Sequence, residues 1–472
     1  MYEEEVVNME KEKRGSFGGQ LGFVLAAAGS AVGLGNIWRF PYLAARDGGG
    51  LFLVVYLVLA VTFGFALLTT EVVFGRKTKQ SPLTAYRKLS KKWGWIGIVA
   101  CIVPFMIMPY YCAIGGWVVK YFIAFLTGHG AEAAEDGFFT GFITGTTQPI
   151  VFMLIFLLVC AVIIFKGVES GIEKFSKFIM PILIIMVIGI AVFSLTIKRP
   201  GADGEVVSGM QGLKVYLIPN MEGITVKKFF FVVMDALGQL FYSLSVAMGI
   251  MIAYGSYLKD DTNLVKSINQ IEIFDTLVAF LAGIMIIPAV FVFMGTEGMS
   301  AGPSLMFVSL PKIFAAMGKA GNVIGTIFFA MVLFAAVTSA MSILEAVVSS
   351  LIDQFKMSRG KATVLETTAA AVIGIIVCLG YNVFYFEKTL PNGATAQILD
   401  IMDYISNNVL MPVVAIGTCI LAGWVLKPKT IIAEATKNGE HFGRRGLYIA
   451  MIKYISPVLL VILLAMSLGL FG

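Results

Sequence analysis

The sequence predicts an all-α polytopic membrane protein with eleven transmembrane helices. The first observation behind that expectation is compositional. The 472 residues are 58% hydrophobic and 14% charged, with a mean hydropathy of +0.88, whereas soluble domains carry roughly 25% charged residues. The second is the succession of apolar runs, each close to the roughly 20 residues a helix needs to cross a bilayer and together too many for a buried core. The third is that the first and sixth runs are interrupted by glycine and hydroxyl residues near their middles.

In chain order the runs cover roughly residues 18–43, 50–75, 95–127, 149–166, 172–196, 229–255, 266–296, 324–352, 364–385, 398–426 and 447–470, by apolar periodicity and length. Basic residues crowd alternate loops: Arg76, Lys77, Lys79, Arg87, Lys88, Lys91 and Lys92 after the second run, Lys356, Arg359 and Lys361 after the eighth, and Lys427, Lys429, Lys437, Arg444 and Arg445 after the tenth. The loop at 129–137 is acidic. The positive-inside rule therefore places Lys11, Lys13, Arg14 and the N-terminus in the cytoplasm of a plasma-membrane protein and, with an odd number of spans, the C-terminus outside. The loops 197–228 and 297–323 become external, and 303–317 reads as partly helical and amphipathic. The chain then divides into a cytoplasmic tail (1–17), a first five-helix unit (18–196), an external loop (197–228), a second five-helix unit (229–426), a cytoplasmic loop (427–446) and a last span (447–472). The charged first residues lack the apolar core and cleavage site of a signal peptide, so retention of this segment is expected.

Gly15 to Trp38 carries no charge, yet Gly29, Gly33 and Gly35 fall inside it. Each glycine weakens a helix interior by roughly 1 kcal/mol relative to alanine. A span that opens at mid-depth exposes backbone N–H and C=O groups, which is tolerated around a ligand or water-filled cavity; glycines also permit close helix packing. Gln239 to Gly249 opens the sixth run in the same way, with Ser243 and Ser245 among apolar residues. Interrupted spans at corresponding places in two five-span halves point to an inverted repeat with its site at the breaks. The second interruption favours a site over mere packing.

Polar groups at membrane depth are costly and mark function. Asp275 lies inside the seventh run, where a carboxylate needs a cation or donors; oxygen ligands of this kind suit a hard cation such as sodium. Thr338 and Ser339 lie mid-way along the eighth, where a hydroxyl can equally bond back to its own helix. Glu345 is the one charge between Lys319 and Asp353 and suits a proton carrier, the wall of a water path or a cation's partner; the sequence leaves the three open. Arg39 and Asp403 fall toward the same, external side. The five cysteines lie in apolar runs without metal-type spacing, and His129 and His441 lie in loops. No disulfide, organic cofactor, nucleic-acid partner or nucleophile–base set is expected, and an enzyme is the least favoured class.

At these residues the chain resembles the neurotransmitter:sodium symporter family. The stretch Gly29 to Pro41 (GSAVGLGNIWRFP) is similar to that family's first-span motif and 238–249 (GQLFYSLSVAMG) to its sixth. Residues 46–50, 109–111, 166–174, 335–339 and 399–403 also fit in order. The resemblance covers nearly the whole chain, and the eleven spans are similar to bacterial amino-acid transporters of the family. It implies the inverted five-plus-five repeat of the leucine-transporter type, broken in helices 1 and 6. It also implies sodium-coupled import of a neutral amino acid.

Carried over residue by residue, the resemblance implies two sodium sites: one from Ala31, Asn36, Ser243 and Asp275, the other from Gly29, Val32, Ala335, Thr338 and Ser339. The substrate carboxylate would meet Leu34, Gly35 and Tyr111, and its amine Ala31, Tyr242 and Ser245, with Ser243 also counted among the substrate-binding residues. Ser30, Ile107, Tyr111, Tyr242, Met248, Ser339 and Ile343 would line the side-chain pocket. Arg39 with Asp403 would form the outer gate, and Arg14, Ser256, Tyr257 and Asp353 the inner one. Three departures carry weight. Phe17 stands where relatives often have Trp, Tyr242 where Phe is common, and Asp275 where many have Asn. A fixed anion at Asp275, with Ala279 removing a hydroxyl near Tyr56, Gln239 and Ser243, implies chloride-independent transport. Ser30, where monoamine carriers place Asp, disfavours amines lacking a carboxylate. A branched aliphatic side chain is expected. A proton-coupled permease of the same architecture and a non-transporting amino-acid sensor remain as alternatives, and the oligomeric state stays open.

Overall fold

The computed structural model describes residues 15–201, 205–295, 298 and 303–470. Arg14, expected at the inner gate, lies outside them. Among the described residues nine helices are long and apolar enough to cross a membrane, and Gln20–Ala31 with Gly35–Arg46, bent by 55°, make a tenth. Val226–Ser243 and Ile250–Ser256 flank a non-helical stretch in the sixth run. The breaks thus fall where glycine and serine interrupt the apolar pattern.

Glycine also sets the closest helix contacts. Gly75 on Phe65–Thr78 lies against the Ile252 carbonyl, and Gly255 on Ile250–Ser256 against that of Val72, so a Cβ at either would collide with backbone. Lys319–Phe355, the longest helix, packs along Gly94–Leu126 and touches Gln20–Ala31, whose other sides meet Leu264–Met294 and Lys174–Thr196.

Three segments depart from the sequence-based expectation. Residues 197–228 are not a plain loop: Lys198–Pro200 pairs antiparallel with Val206–Ser208 and leads into the helix Gly209–Leu217. A capping box between Ser208 and Gln211 starts that helix, and Tyr216 anchors it by donating to the Phe280 carbonyl at 3.1 Å. The ninth helix, Arg359–Leu379, stops six residues before the expected 385. The chain turns there so that Asn382 can donate to the Thr144 and Gly145 carbonyls. The amphipathic segment expected at 303–317 is the apolar helix Leu305–Ala316, which buries Leu305, Met306, Phe307, Leu310, Ile313 and Phe314.

At one end of the bundle charges knit loops together. The fully buried Arg76 pairs with Glu434 at 3.0 Å and donates to the carbonyls of Thr262 and Glu434. Nearby, hydrogen bonds from Lys79 and Lys437 hold the loop carboxylate Asp260 down to about 2.

Candidate functional site

The two breaks face one another. Gln20–Ala31 ends at Val32, and Gly35 opens the next helical segment. A Cβ on Gly33 would stand 2.7 Å from Ser339 Oγ, and one on Gly35 would stand 2.6 Å from the Tyr242 ring. These positions exclude side chains because neighbouring helices approach the open backbone. Across from them Ser245, Ala247 and Gly249 have φ of 53°, 62° and 74°. For the two non-glycines this left-handed backbone costs on the order of 1–3 kcal/mol each, which persists when surroundings enforce it. Glu71 is part of that enforcement, accepting the Ala247 N–H at 2.7 Å, fully buried. Sequence reading does not single out Glu71; its signal is that it is the lone charge between Asp47 and Arg76.

All twelve residues expected around the substrate line one cavity: Ser30, Ala31, Leu34, Gly35, Ile107, Tyr111, Tyr242, Ser243, Ser245, Met248, Ser339 and Ile343, joined by Gly33 and Asn36. Its volume is about 20 Å³, and a single water needs roughly 10–15 Å³ by the same measure. The walls must therefore part to admit anything larger. Hydrogen bonds tie its polar side: Ser30 Oγ donates to Ser245 Oγ at 3.1 Å, and Ser245 and Ser339 both donate to the Ser30 carbonyl, at 3.1 and 3.0 Å. The Tyr111 hydroxyl is buried with no partner among the described residues. Ile107, Met248 and Ile343 make the remainder apolar.

Beside the cavity Asp275, Asn36 and Ser243 are buried together. Ser243 Oγ donates to Asp275 Oδ1 at 2.7 Å, Asn36 Nδ2 donates to the same oxygen at 2.9 Å, and Ser243 reaches Asn36 Oδ1 at 3.1 Å. The Tyr56 hydroxyl approaches Asp275 Oδ2 at 3.4 Å. Among the described residues no side-chain cation forms an ion pair with Asp275. In the second set, Gly29 sits against Thr338, where a Cβ would meet Thr338 Cβ at 3.3 Å. Thr338 Oγ1 donates to the carbonyls of Phe334 and Ala335, both at 3.0 Å, so Ala335 and Thr338 oxygens are adjacent and the hydroxyl bonds back to its own helix.

A second cavity of about 250 Å³ shares Tyr242 with the first and is lined by Arg39, Asp235, Asn407 and Met411 among others. The expected outer-gate pair is not joined. Arg39 forms no ion pair with Asp403, whose Oδ1 instead accepts from Asn407 Nδ2 at 2.6 Å. Asn407, one turn along the same helix, and Tyr110 are the carboxylate's donors, while the Arg39 charge acts on it from beyond ion-pair distance. At the other end Asp353 Oδ2 accepts the Ser81 N–H at 2.6 Å, Ser256 Oγ donates to the Ala253 carbonyl at 2.5 Å, and Tyr257 donates to Glu345 at 2.5 Å. Phe17 fills its position with ring contacts to Phe23, Tyr254 and Tyr257. Of the three roles open to Glu345, the structure places it in an ion pair: Arg359 grips both its oxygens, at 2.7 and 2.9 Å.

Broken helices around a small, partly polar cavity, beside a buried carboxylate lacking a protein cation, define a multi-pass membrane transporter. A family model described as the sodium:neurotransmitter symporter family matches residues 14–133 and 143–471. The chain is 32% identical to the uncharacterised sodium-dependent transporter YhdH of Bacillus subtilis, over 98% of this chain and 99% of that one. It is 26% identical to the sodium- and chloride-dependent GABA transporter 2 of Macaca fascicularis, over 80% of this chain and 70% of that one. Among solved structures it is similar to MhsT in complex with L-phenylalanine, with a TM-score of 0.84, 32% identity, and coverage of 96% of this chain and 100% of that one. The chain belongs to the sodium:neurotransmitter symporter family. It is a sodium-dependent symporter of the leucine-transporter fold, not an enzyme.

Proposed function

We propose that this symporter imports neutral, hydrophobic amino acids, branched aliphatic ones foremost, with two sodium ions and without chloride. The observation that carries this reading is the gathering of the twelve expected residues on one cavity beside the Asn36–Ser243–Asp275 cluster. The unpartnered Tyr111 hydroxyl is a donor for a carboxylate, Ser30 and Ser245 supply oxygens for an amine, and Ile107, Met248 and Ile343 suit an apolar side chain. The L-phenylalanine bound to MhsT supports an amino-acid substrate. Sodium at Asp275 would supply the missing counter-charge, and the oxygens of Gly29, Val32, Ala335, Thr338 and Ser339 would hold a second ion. Chloride independence follows from Asp275: it supplies a fixed anion and engages the hydroxyls of Tyr56 and Ser243.

In the cycle, substrate and sodium would enter past Tyr242 from the larger cavity, Arg39 and Asp403 would close together, and separation of Arg14 from Asp353 would release the cargo inward. Taking Val226–Ser243 and Ile250–Ser256 as one divided span gives eleven spans, with a cytoplasmic N-terminus and an external C-terminus in the plasma membrane. Two sodium ions moved across 100 mV supply about 4.6 kcal/mol, enough for a gradient of over three decades at about 1.4 kcal/mol per tenfold. Uptake into proteoliposomes under imposed sodium gradients tests this. Leucine, isoleucine and valine should accumulate with sodium and equally in chloride or gluconate. Strong chloride stimulation, or competition in which Trp or Tyr outranks Leu, would overturn the corresponding part.

A further inference from the structure

Away from both cavities, Arg359–Leu379 carries a second buried carboxyl that the site does not use. Glu366 is 2% exposed, and its Oε1 has no hydrogen-bond partner among the described residues. The hydroxyls of Thr363 and Thr367 are likewise buried and unpartnered. Residues three and four apart share one helix face, so Thr363, Glu366 and Thr367 form a patch of orphaned oxygens on one turn. Thr338, Thr368 and Thr418 return their hydroxyl to their own helix, and these two do not.

The helices packed against Arg359–Leu379 are Gly94–Leu126, Gln148–Phe165 and Lys319–Phe355. The first brings two thiols, Cys101 and Cys112, within electrostatic reach of Glu366, and Cys112 in turn neighbours Cys160 of the second and Cys378 of Arg359–Leu379 itself. The third contributes Glu345, held by Arg359, and Asp353, which accepts from Ser81. Lys120 sits among the rings of Phe138, Phe142 and Phe152. No cation among the described residues pairs with Glu366. An isolated carboxylate in such surroundings costs several kcal/mol or more, and such a group takes up a proton instead.

We propose that Glu366 is a proton-binding site, separate from the sodium sites, whose occupancy follows the transport cycle. The coupling runs along its own helix. Two turns earlier Arg359 grips Glu345, which also receives the Tyr257 hydroxyl just beyond the second half of the divided sixth span. Inward opening that disturbs these contacts would shift this helix and change the packing around Thr363, Glu366 and Thr367.

Two measurements on the full chain in proteoliposomes test the proposal, with wild type and Glu366→Gln, which keeps the shape of the neutral acid. Infrared difference spectra between sodium-free and sodium-plus-leucine states should show a protonated-carboxyl C=O band in wild type that disappears in Glu366→Gln. Recorded also with sodium alone, this arm requires neither transport nor leucine binding, so it stands apart from the proposed substrate and import activity. Sodium-driven uptake should persist in Glu366→Gln with its dependence on internal pH flattened at least threefold. A carboxyl band unchanged in the variant, or an unaltered pH profile, would overturn the proposal.

Discussion

At the scale of single residues, the sharpest feature is a buried hydroxyl that completes no hydrogen bond of full geometry, although Ser339 and the Leu34 N–H lie beside it. Tyr111 is buried in the cavity wall, and a hydrogen bond to a charged group contributes about 1.5–3 kcal/mol. Tyr111→Phe should therefore weaken substrate binding by about tenfold to a hundredfold, read by scintillation proximity or calorimetry, while changing thermal stability little, because no hydrogen bond of full geometry is lost. A variant with undiminished affinity would remove Tyr111 from carboxylate recognition. Asp275→Asn keeps the shape of the Asn36–Ser243 contact and deletes the fixed charge. Its expected outcome is impaired uptake, or uptake that becomes chloride-dependent; an unaffected variant would count against the assignment. Glycines 33 and 35 were legible in the sequence as a break, because no other residue serves an open backbone against packed side chains. The Glu345–Arg359 pair was not legible: both are visible as charges, but their meeting depends on how two helices are rotated about their axes.

Elements show the same division. The first and sixth spans announced their interruptions through Gly29, Gly33, Gly35 and the run from Ser243 to Gly249, and the structure opens the helices at 32–33 and 244–249. What sequence could not supply was the enforcement. Ser245 and Ala247 hold left-handed backbone with help from Glu71, which sits on a helix more than 170 positions away in the chain. The hairpin at 198–208 also escaped, since each strand is three residues long and neither has an alternating pattern to read. The loops beyond the spans are tied by Arg76, whose side chain is fully buried against Glu434 and the Thr262 carbonyl. Removing one member of a buried pair costs about 3–5 kcal/mol. Arg76→Ala should therefore lower the melting temperature in detergent by several degrees, without altering sodium affinity in the fraction that remains folded. A loss smaller than 1 kcal/mol would show the pair to be solvated.

For the whole molecule, composition together with the succession of apolar runs pointed to a multi-pass helical protein. The ordering of motifs carried the resemblance from end to end, because the site is assembled from residues on the first, third, sixth, seventh and eighth runs. The unjoined Arg39 and Asp403 could not have been read from sequence, since a gate's position belongs to a conformation and not to a residue pattern.

The helix Lys319–Phe355 has a consequence for the lipid around the protein. Its 37 residues extend about 55 Å at 1.5 Å per residue, against a hydrocarbon core of about 30 Å. It must lean or project, and its tilt is set partly by the membrane's thickness. Thr338 and Ser339, proposed to hold sodium, lie midway along it and Asp353, proposed for the inner gate, near one end, so a change of lean moves them together. Reconstitution into bilayers of graded acyl-chain length should accordingly change turnover severalfold while sodium selectivity stays fixed. The thickness of the host membrane then acts as a control on transport rate that no residue in the pocket encodes.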